Sequence, residues 1–254
     1  MSDQKTQRKK RIDVNKTISD MPGMAGFLDT LLKRFRNVTF AICLSPIALM
    51  YLLSIGISLM PGVALYDYVS PRVADAAPIL RYLAYGCTFG MGYLMYVFTI
   101  IFVVPIFNIP VKPFVKPYRG MQFDLRMVPW FMHNALTYLP RYTFLEFLTA
   151  SPFNTLFYKM MGMKIGRGVI INTANISDPC LIQLDDYVTI GGSVTMFAHY
   201  GMQGYMVVDR VHIKERTTIG LKASIFGGVT IGARNVIAPH SLILPKTVIP
   251  DGEK

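Results

Sequence analysis

The stretch IKERTTIGLKASIFGGVTIGARNVIAPHSLILPKTVI, from Ile213 to Ile249, decides the fold, because isoleucine returns at every sixth residue. The seven isoleucines are Ile213, Ile219, Ile225, Ile231, Ile237, Ile243 and Ile249. A helix repeats about every 3.6 residues and a strand every 2, so neither explains this period. Short fixed periods of this kind are typical of parallel β-helices, in which three hexads close one triangular coil. We therefore expect every isoleucine of the series to point into one continuous core.

A second position of the hexad supports this interpretation. Four residues after each of the first six isoleucines stands a residue that is small or β-branched: Thr217, Ala223, Val229, Asn235, Ser241 and Thr247. Weaker hexads precede the regular series, at Ile165, Ile171, Leu184, Ile190 and Met196. The step from Ile171 to Leu184 equals two hexads plus one residue, which predicts a bulge near residues 177–180. After Met196 the pattern stops, and an excursion through residues 200–206 leads to Ile213.

The composition indicates membrane segments. Hydrophobic residues make up 52% of the 254 residues and charged residues only 16%, and the mean hydropathy is +0.38. The formal net charge of +11 is uneven, since residues 1–37 and 112–164 each contribute +5, while residues 38–111 contribute zero. The positive charge therefore flanks the apolar part of the chain. This placement favours an anionic lipid surface over nucleic acid as the partner of the charge.

The apolar part predicts a transmembrane hairpin over residues 38–111. Neither Val38–Tyr66 nor Tyr82–Val111 contains a charged residue, and about 20 apolar residues suffice to cross a bilayer. We expect helices at about 38–60 and 82–107, with Gly86 and Gly90 either tolerated or forming a close-packing face. By the positive-inside rule, both ends of the hairpin face the cytoplasm. The sequence thus predicts a multi-pass protein of the cell membrane, with residues 1–37 as a basic cytoplasmic tail.

Residues 112–164 combine basic groups with aromatic residues and are interrupted by five prolines, at positions 113, 117, 129, 140 and 152. None of the pieces between these prolines is long enough to span a bilayer, which predicts short interfacial helices in the headgroup layer. Trp130, the sole tryptophan of the chain, is expected to be an anchor at that interface. His133 is interpreted as a hydrogen-bonded structural histidine.

Three segments of the repeat region carry a resemblance: Ile165-Gly-Arg-Gly-Val169, Tyr187-Val-Thr-Ile-Gly191, and the run from Thr218-Ile-Gly220 through Ile237-Ala-Pro-His-Ser-Leu-Ile243. They are similar to the hexapeptide-repeat acyltransferase superfamily. The lead-in, residues 148–166, resembles membrane-tethered members, including the C-terminal domain of some non-ribosomal peptide synthetases. The resemblance implies a left-handed parallel β-helix over residues 165–254, so that the fold is mainly β with the hairpin and interfacial helices before it. It also implies a homotrimer whose active sites lie between neighbouring prisms.

The resemblance assigns a general base. In the superfamily, a histidine near a loop excursion removes a proton from the acceptor, which then attacks an acyl thioester. His199 matches that motif, in Val194-Thr-Met-Phe-Ala-His199-Tyr-Gly201, and an imidazole can take a proton near neutral pH. One coil takes about eighteen residues, which places Asp178 as the orienting carboxylate, with Asp186 and Glu215 as further candidates. The alternative is a solvated histidine at a corner of the coil.

The donor would be acyl-CoA or an acyl carrier protein, used as a co-substrate, with no permanently bound cofactor. Three residues after the first six isoleucines come the corner residues Arg216, Lys222, Gly228, Arg234, His240 and Lys246. We expect Lys222, Arg234 or Lys246 to contact the phosphates of the donor, and Gly227 and Gly228 to let its arm lie close to the backbone. The alternative is a solvated charged edge. Thr218 occupies the place where many relatives carry an indole, which departs from the acetyl-CoA pattern.

No metal site is expected. A carbonic anhydrase on the same scaffold needs three histidines, two of them five residues apart, but Asn235 stands five residues before His240. The three cysteines are scattered, with neither metal-like spacing nor a disulfide pattern.

The sequence thus predicts a membrane-anchored O- or N-acyltransferase whose acceptor is a small or lipid-linked molecule at the membrane surface. The alternative is a non-catalytic trimeric scaffold that docks an enzyme or a carrier protein there. Superfamily members usually continue beyond the point reached at Lys254, so the chain either ends bluntly or belongs to a longer one.

Overall fold

The computed structural model describes residues 12–252. The basic cluster Arg8-Lys9-Lys10-Arg11 lies outside these residues. Five α-helices precede the repeat region: α1 (Gly23–Arg34), α2 (Arg36–Val69), α3 (Pro78–Asn108), α4 (Val128–Thr143) and α5 (Pro152–Met161). Short 3-10 turns cover Ser70–Val73, Lys112–Phe114, Leu125–Met127, Leu145–Leu148 and Pro179–Leu181.

The strands are short, as a coil with six residues per side requires. They are β1 (Tyr118–Gly120), β2 (Lys164–Ile165), β3 (Ile170–Ile171), β4 (Ile176–Ser177), β5 (Ile182–Leu184), β6 (Thr189–Ile190), β7 (Thr195–Phe197), β8 (His199–Met202), β9 (Tyr205–Val208), β10 (Val211–Ile213), β11 (Thr218–Ile219), β12 (Ser224–Ile225), β13 (Thr230–Ile231), β14 (Val236–Ile237), β15 (Leu242–Ile243) and β16 (Val248–Ile249).

Three parallel sheets form the repeat region, and the chain visits them in rotation. The first sheet has the order β16-β13-β10-β5-β2, the second β14-β11-β6-β3 and the third β15-β12-β7-β4. The register stacks isoleucine on isoleucine, with Ile213 opposite Ile231 and Ile219 opposite Ile237. Ile213, Ile219 and Ile231 are fully buried. We call this unit, residues 164–251, the coil; its parallel sheets confirm the strand stacking that the six-residue period predicts.

The weaker hexads occupy the same register, with one shift. Leu184 pairs with Ile213, and Met196 pairs with Ile225. In the first turn of the third sheet the core position is taken by Ile176, which pairs with Met196. The extra residues are taken up by the turn Pro179–Leu181, which begins after Asp178 in a left-handed conformation with φ of 60°. The bulge therefore lies where the spacing predicts it.

The Ile-Gly pairs of the sequence have a steric cause. A Cβ at Gly220 would lie 2.5 Å from the Pro239 nitrogen, and a Cβ at Gly232 would lie 2.4 Å from the Pro250 carbonyl carbon. Both distances are far below van der Waals contact. Glycine is required after the isoleucine because the next coil passes directly over that position.

The corner residues belong to three different edges, because each sheet is followed by its own corner. The first edge carries Arg216 and Arg234, and the second carries Lys222 and His240, all four with φ between 56° and 61°. The third edge carries Gly228 and Lys246, with φ of 84° and 65°. The left-handed conformation turns the chain sharply from one sheet to the next. Only every third corner therefore shares an edge.

Helices α2 and α3 contact each other extensively, and both are long and apolar enough to cross a membrane by length and composition. They are longer than the sequence predicts, since α2 continues through Pro61 to Val69 and α3 begins at Pro78. Their closest approach is at Gly62 and Gly92, where a Cβ on Gly62 would lie 2.9 Å from the Cα of Gly92. Gly86 and Gly90 make no such approach within residues 12–252, since nothing lies within 4 Å of a Cβ at either.

The burial of helix α4 contradicts the expectation that residues 112–164 form interfacial helices in the headgroup layer. Every residue from Met127 to Arg141 is buried or half-buried, and the helix contacts α2, α3 and the coil strand β4. Trp130 is only 7% exposed, so it is not an anchor in a headgroup layer. Aromatic and basic residues are frequent both at lipid interfaces and between packed units, and composition alone does not separate the two.

Part of the predicted tail also folds against the core. Lys33, in the last turn of α1, is buried and forms ion pairs with Asp29 at 2.5 Å and with Asp124 at 3.3 Å. Burial opposes ionisation of Asp124, but hydrogen bonds from Arg126 and the charge of Lys33 outweigh it and lower the pKa of Asp124 to about 2. Lys33 therefore stabilises the contact between α1 and the segment before α4, and does not face lipid.

His133 is fully buried, and its Nδ1 lies 2.8 Å from the Asn108 Oδ1. Burial lowers the pKa of His133 from 6.5 to about 4. The unfolded chain therefore binds a proton between these values while the folded chain does not, so the free energy of unfolding should fall by about 3 kcal/mol as pH drops through this window. Unfolding of wild type and His133→Gln at pH 7 and pH 4.5 checks this. A variant with the same pH dependence as wild type would contradict it.

Candidate active site

His199 lies on the third edge of the coil, where the regular hexads stop. Strand β7 ends at Phe197, and His199 begins the antiparallel hairpin β8–β9, in which it pairs with Val208. Strand β1 adds a third strand to this hairpin, since Tyr118–Gly120 pairs with β9. The chain then returns to the coil, where the Asp209 N–H donates to the Ala198 carbonyl at 2.8 Å. The excursion that the sequence predicts is thus an ordered hairpin, and it opens at the histidine.

The structure brings Asp178 and His199 together. Asp178 Oδ2 lies 2.6 Å from His199 Nδ1, and the Asp178 side chain is fully buried while the His199 side chain is 16% exposed. Asp178 itself adopts the left-handed conformation, and the turn Pro179–Leu181 follows it directly. With Nδ1 bound to the carboxylate, Nε2 is the ring nitrogen left for proton exchange. A carboxylate that accepts from one ring nitrogen fixes the tautomer in which the other can take a proton.

Two residues that the sequence analysis did not assign to the site complete the surroundings of Asp178. From helix α4, Trp130 Nε1 and Asn134 Nδ2 each donate to Asp178 Oδ1 at 2.7 Å. Ser177 in turn donates its hydroxyl to Asn134 Oδ1 at 2.5 Å. Together with His199 Nδ1, the two groups from α4 make three N–H donors to the buried Asp178 carboxylate. The three hydrogen bonds compensate the cost of burying its charge. Their signal in the sequence is weak: a tryptophan and an asparagine at i and i+4 of a predicted helix.

The imidazole is also held by two rings. Phe197 stacks on it with the planes 8° apart and the centroids 5.4 Å apart, and Trp130 meets it edge-on at 4.9 Å. These contacts restrict the ring to one orientation, and the hydrogen bond to Asp178 sets its tautomer. The arrangement can hold a base that removes a proton from a group reaching the third edge.

The other carboxylates named as partners are not near His199. Asp186 binds Arg167, with Oδ2 3.0 Å from the guanidinium, and Glu215 stands beside Arg216 on the first edge. Asp186 and Glu215 are therefore wrong as orienting groups. The coil brings residues together along an edge, and these two belong to a different one.

The residues expected to bind the donor are divided among the edges. Gly227 and Gly228 lie on the third edge with Lys246, and a Cβ on Gly227 would lie 2.9 Å from the Ala198 carbonyl carbon, directly beside His199. Lys222 and Arg234 lie on the second and first edges. The basic corners therefore do not form one edge within a single chain, and donor contact from Lys222, Arg234 or Lys246 stays a prediction.

An open groove adjoins the histidine. Its volume is about 550 Å³, and its lining is mostly apolar: Tyr200, Gly201, Met202, Phe226, Leu244, Pro245 and Lys246. We call this the apolar groove. Its lining begins at Tyr200, the residue after His199, and includes Phe226 and Lys246 from the later coils near the third edge.

Cysteine chemistry and metal binding were also considered as functions of the residues near Asp178, within residues 12–252. Burial raises the pKa of the Cys180 thiol to about 12, and the nearby Asp178 adds to the effect. Cys180 is therefore protonated near neutral pH and is a poor nucleophile. Within residues 12–252, no group of three His, Cys, Asp or Glu side chains is placed to hold a metal ion.

The variant Trp130→Phe tests the role of α4. It keeps an aromatic ring but removes one N–H from a buried carboxylate, so we expect turnover to fall about tenfold and the free energy of unfolding to fall by about 1.5–3 kcal/mol. Steady-state kinetics and chemical unfolding measure the two effects. Tyr142→Phe, which removes a hydroxyl from a ring that is 74% exposed, is the control. Unchanged kinetics in Trp130→Phe would show that this hydrogen bond does not position Asp178.

Comparisons with known proteins give distant similarities. No protein-family model matches the chain. A delta-poly-L-ornithine synthetase of Acinetobacter baumannii is 28% identical over 106 residues, which are 42% of this chain and only 8% of the synthetase. A serine acetyltransferase structure from Neisseria gonorrhoeae has a TM-score of 0.31 and 15% identity, over 75% of this chain and 73% of that one. Serine acetyltransferase 1 of Entamoeba histolytica, in complex with L-cysteine, has a TM-score of 0.29 and 13% identity, over 75% and 74%.

Proposed function

We propose that the protein is an acyltransferase in which His199 is the general base and Asp178 orients it. The observation that carries this proposal is the 2.6 Å contact between the buried Asp178 carboxylate and His199 Nδ1, at the edge where the coil is interrupted. His199 Nε2 removes a proton from the hydroxyl or amine of the acceptor. The acceptor oxygen or nitrogen then attacks the thioester carbonyl carbon of acyl-CoA or of an acyl carrier protein.

The second half of the reaction returns the proton. The carbon–sulfur bond of the tetrahedral intermediate breaks, the carbonyl re-forms, and the protonated imidazole gives its proton to the departing thiolate. The acyl group ends as an ester or an amide, and the base is neutral again. The hydrogen bond from Nδ1 to Asp178 stabilises the imidazolium in between, since the positive charge forms next to a buried carboxylate.

The proposed site of action is the membrane surface. In this proposal α2 and α3 cross the bilayer, the coil is a left-handed β-helix on the cytoplasmic face of the cell membrane, and three copies associate around it. Exposed apolar side chains on α2 support the bilayer contact, among them Leu49 at 58%, Leu52 at 69% and Val63 at 58% exposure. The acceptor is then a small or lipid-linked molecule with a hydroxyl or an amine, reached at the surface. The similarity to a polyornithine synthetase is a reason to include amino acids among the acceptors tested.

The test is a screen of the full chain in nanodiscs, with acyl-CoA donors of different length and with hydroxyl and amine acceptors. Free thiol release is measured together with mass spectrometry of the acceptor. We expect thiol release coupled to a mass increase of one acyl group. Binding of donors without any transfer would contradict the proposal and favour a scaffold that docks a donor or a carrier protein.

A further inference from the structure

A second opening in the surface lies on the other side of the His199 edge, on the first sheet. It has a volume of about 270 Å³, between residues 115–117 and the outer faces of β2, β5 and β10. Four of its lining side chains are basic or histidine: Lys116, Lys164, Arg210 and His212. We call it the basic cleft. Lys164 and His212 stand on strands separated by two steps of the sheet, a span of about 10 Å.

The cations of the basic cleft are available for an anion. Within residues 12–252, the side chains of Lys116, Lys164 and Arg210 form no ion pair. His212 is paired, with Nε2 2.8 Å from Asp185 Oδ2. Asp209 Oδ1 accepts a hydrogen bond from the backbone N–H of Arg210, and not from its guanidinium. The cleft thus brings three cations without an ion pair into a small volume, with the Asp185 carboxylate bound to His212 beside them.

The basic cleft begins at the edge that holds the histidine. The carbonyl of Arg210 accepts a hydrogen bond from the Gly228 N–H at 2.9 Å, and the preceding residue, Asp209, is bonded to Ala198. Cys180, which lines the cleft, is two residues from Asp178. Both openings thus adjoin the catalytic pair in sequence: Tyr200, next to His199, lines the apolar groove, and Cys180, two residues from Asp178, lines the basic cleft.

We infer that the basic cleft binds the phosphate groups of the thioester donor. This inference rests on the proposed acyl transfer and adds the direction in which the donor lies. An acyl-CoA has an apolar chain at one end, a polyanionic end with its phosphates, and the thioester between them. With the thioester at His199, the acyl chain lies in the apolar groove and the pantetheine arm leads to the cleft. Lysine and arginine are the side chains that bind phosphate most strongly.

The test separates binding from chemistry. In a His199→Asn background and in nanodiscs, we would titrate CoA, pantetheine (which has no phosphate) and inorganic pyrophosphate, and follow binding by calorimetry. Lys164→Ala and Arg210→Ala should each weaken CoA binding by about tenfold, the loss expected for one charge-assisted hydrogen bond, and leave pantetheine binding unchanged. Pyrophosphate affinity should fall in parallel with CoA affinity. Lys159→Ala removes the same charge from the exposed face of α5 and should change nothing.

Several outcomes would overturn the inference. One is CoA affinity that is equal in wild type and in both variants. Another is an equal loss for pantetheine in variants whose circular dichroism matches wild type, which would show that the two side chains do not act on phosphate. A third is a variant that binds CoA as wild type does but has lost the preference of wild type for phosphatidylglycerol vesicles over phosphatidylcholine vesicles. That result would assign the cleft to lipid phosphate. Cleft-dependent CoA binding without turnover in wild type would instead contradict the acyltransferase proposal and leave the cleft assignment standing.

Discussion

The variant His199→Asn should lose turnover by about 10²- to 10⁴-fold while keeping its fold, because it removes the base and little else. The asparagine amide can still donate a hydrogen bond toward Asp178, so the buried carboxylate retains a partner at this position. It cannot accept a proton from the acceptor. Thiol release and acceptor mass give the rate, and circular dichroism in the same detergent gives the fold.

The control for this variant is His240→Asn. His240 stands on the second edge, is exposed, and has a φ of 61° that asparagine tolerates well. We expect its turnover to remain within about twofold of wild type, since surface substitutions away from a site have small effects. If His199→Asn kept more than a third of wild-type turnover, His199 would be a corner histidine without a part in the reaction.

The repeat and the interruption could be predicted because both are local in sequence. A six-residue period fixes which side chains point inward. One coil of about eighteen residues, with one more for the bulge, leads back from His199 to Cys180, and Asp178 is the nearest carboxylate. Counting thus favours Asp178 but leaves Asp186 and Glu215 open, and the contact over 21 residues of chain is decided by the turn at the bulge.

The support from α4 could not be predicted in the same way. Trp130 and Asn134 reach Asp178 across 48 and 44 residues of chain, and nothing in their own segment indicates the distant partner. A tryptophan among aromatic and basic residues suits a lipid interface as well as a buried contact. The burial of helix α4 between α2, α3 and the coil depends on tertiary packing, which local composition does not contain.

The basic corners do not form one surface of a single chain, and the reason is geometric. They form one series in the sequence, but a three-sided coil distributes a six-residue series over three edges. Residues 18 apart share an edge, as Lys246 and Gly228 do, whereas residues 6 or 12 apart do not. A pattern that is continuous along the chain therefore does not predict a continuous surface.

The variant Asp178→Asn should be as damaging as the loss of the base, by about 10³- to 10⁴-fold in turnover, although it changes the shape of the side chain very little. Trp130 and Asn134 both donate to Oδ1, so the asparagine must turn its oxygen toward them. Its amide N–H then faces His199 Nδ1 and donates to it. Nδ1 becomes the acceptor, the proton moves to Nε2, and the nitrogen that faces the acceptor can no longer take one.

A wrong tautomer of His199 and a damaged fold give different spectra. The tautomer of His199 can be read from the nitrogen chemical shifts of ¹⁵N-labelled histidine, which should exchange the assignments of Nδ1 and Nε2 in the variant. The matched control is Asp186→Asn, which removes a carboxylate from an exposed ion pair with Arg167 and should leave turnover unchanged and stability little changed, since exposed ion pairs contribute little. A variant at Asp178 that kept the wild-type tautomer but lost activity would mean that the carboxylate acts by its charge on the imidazolium. An Asp178→Asn variant that kept both the wild-type tautomer and wild-type activity would remove Asp178 from the mechanism. The three donors around Asp178 would then only hold α4 against the coil.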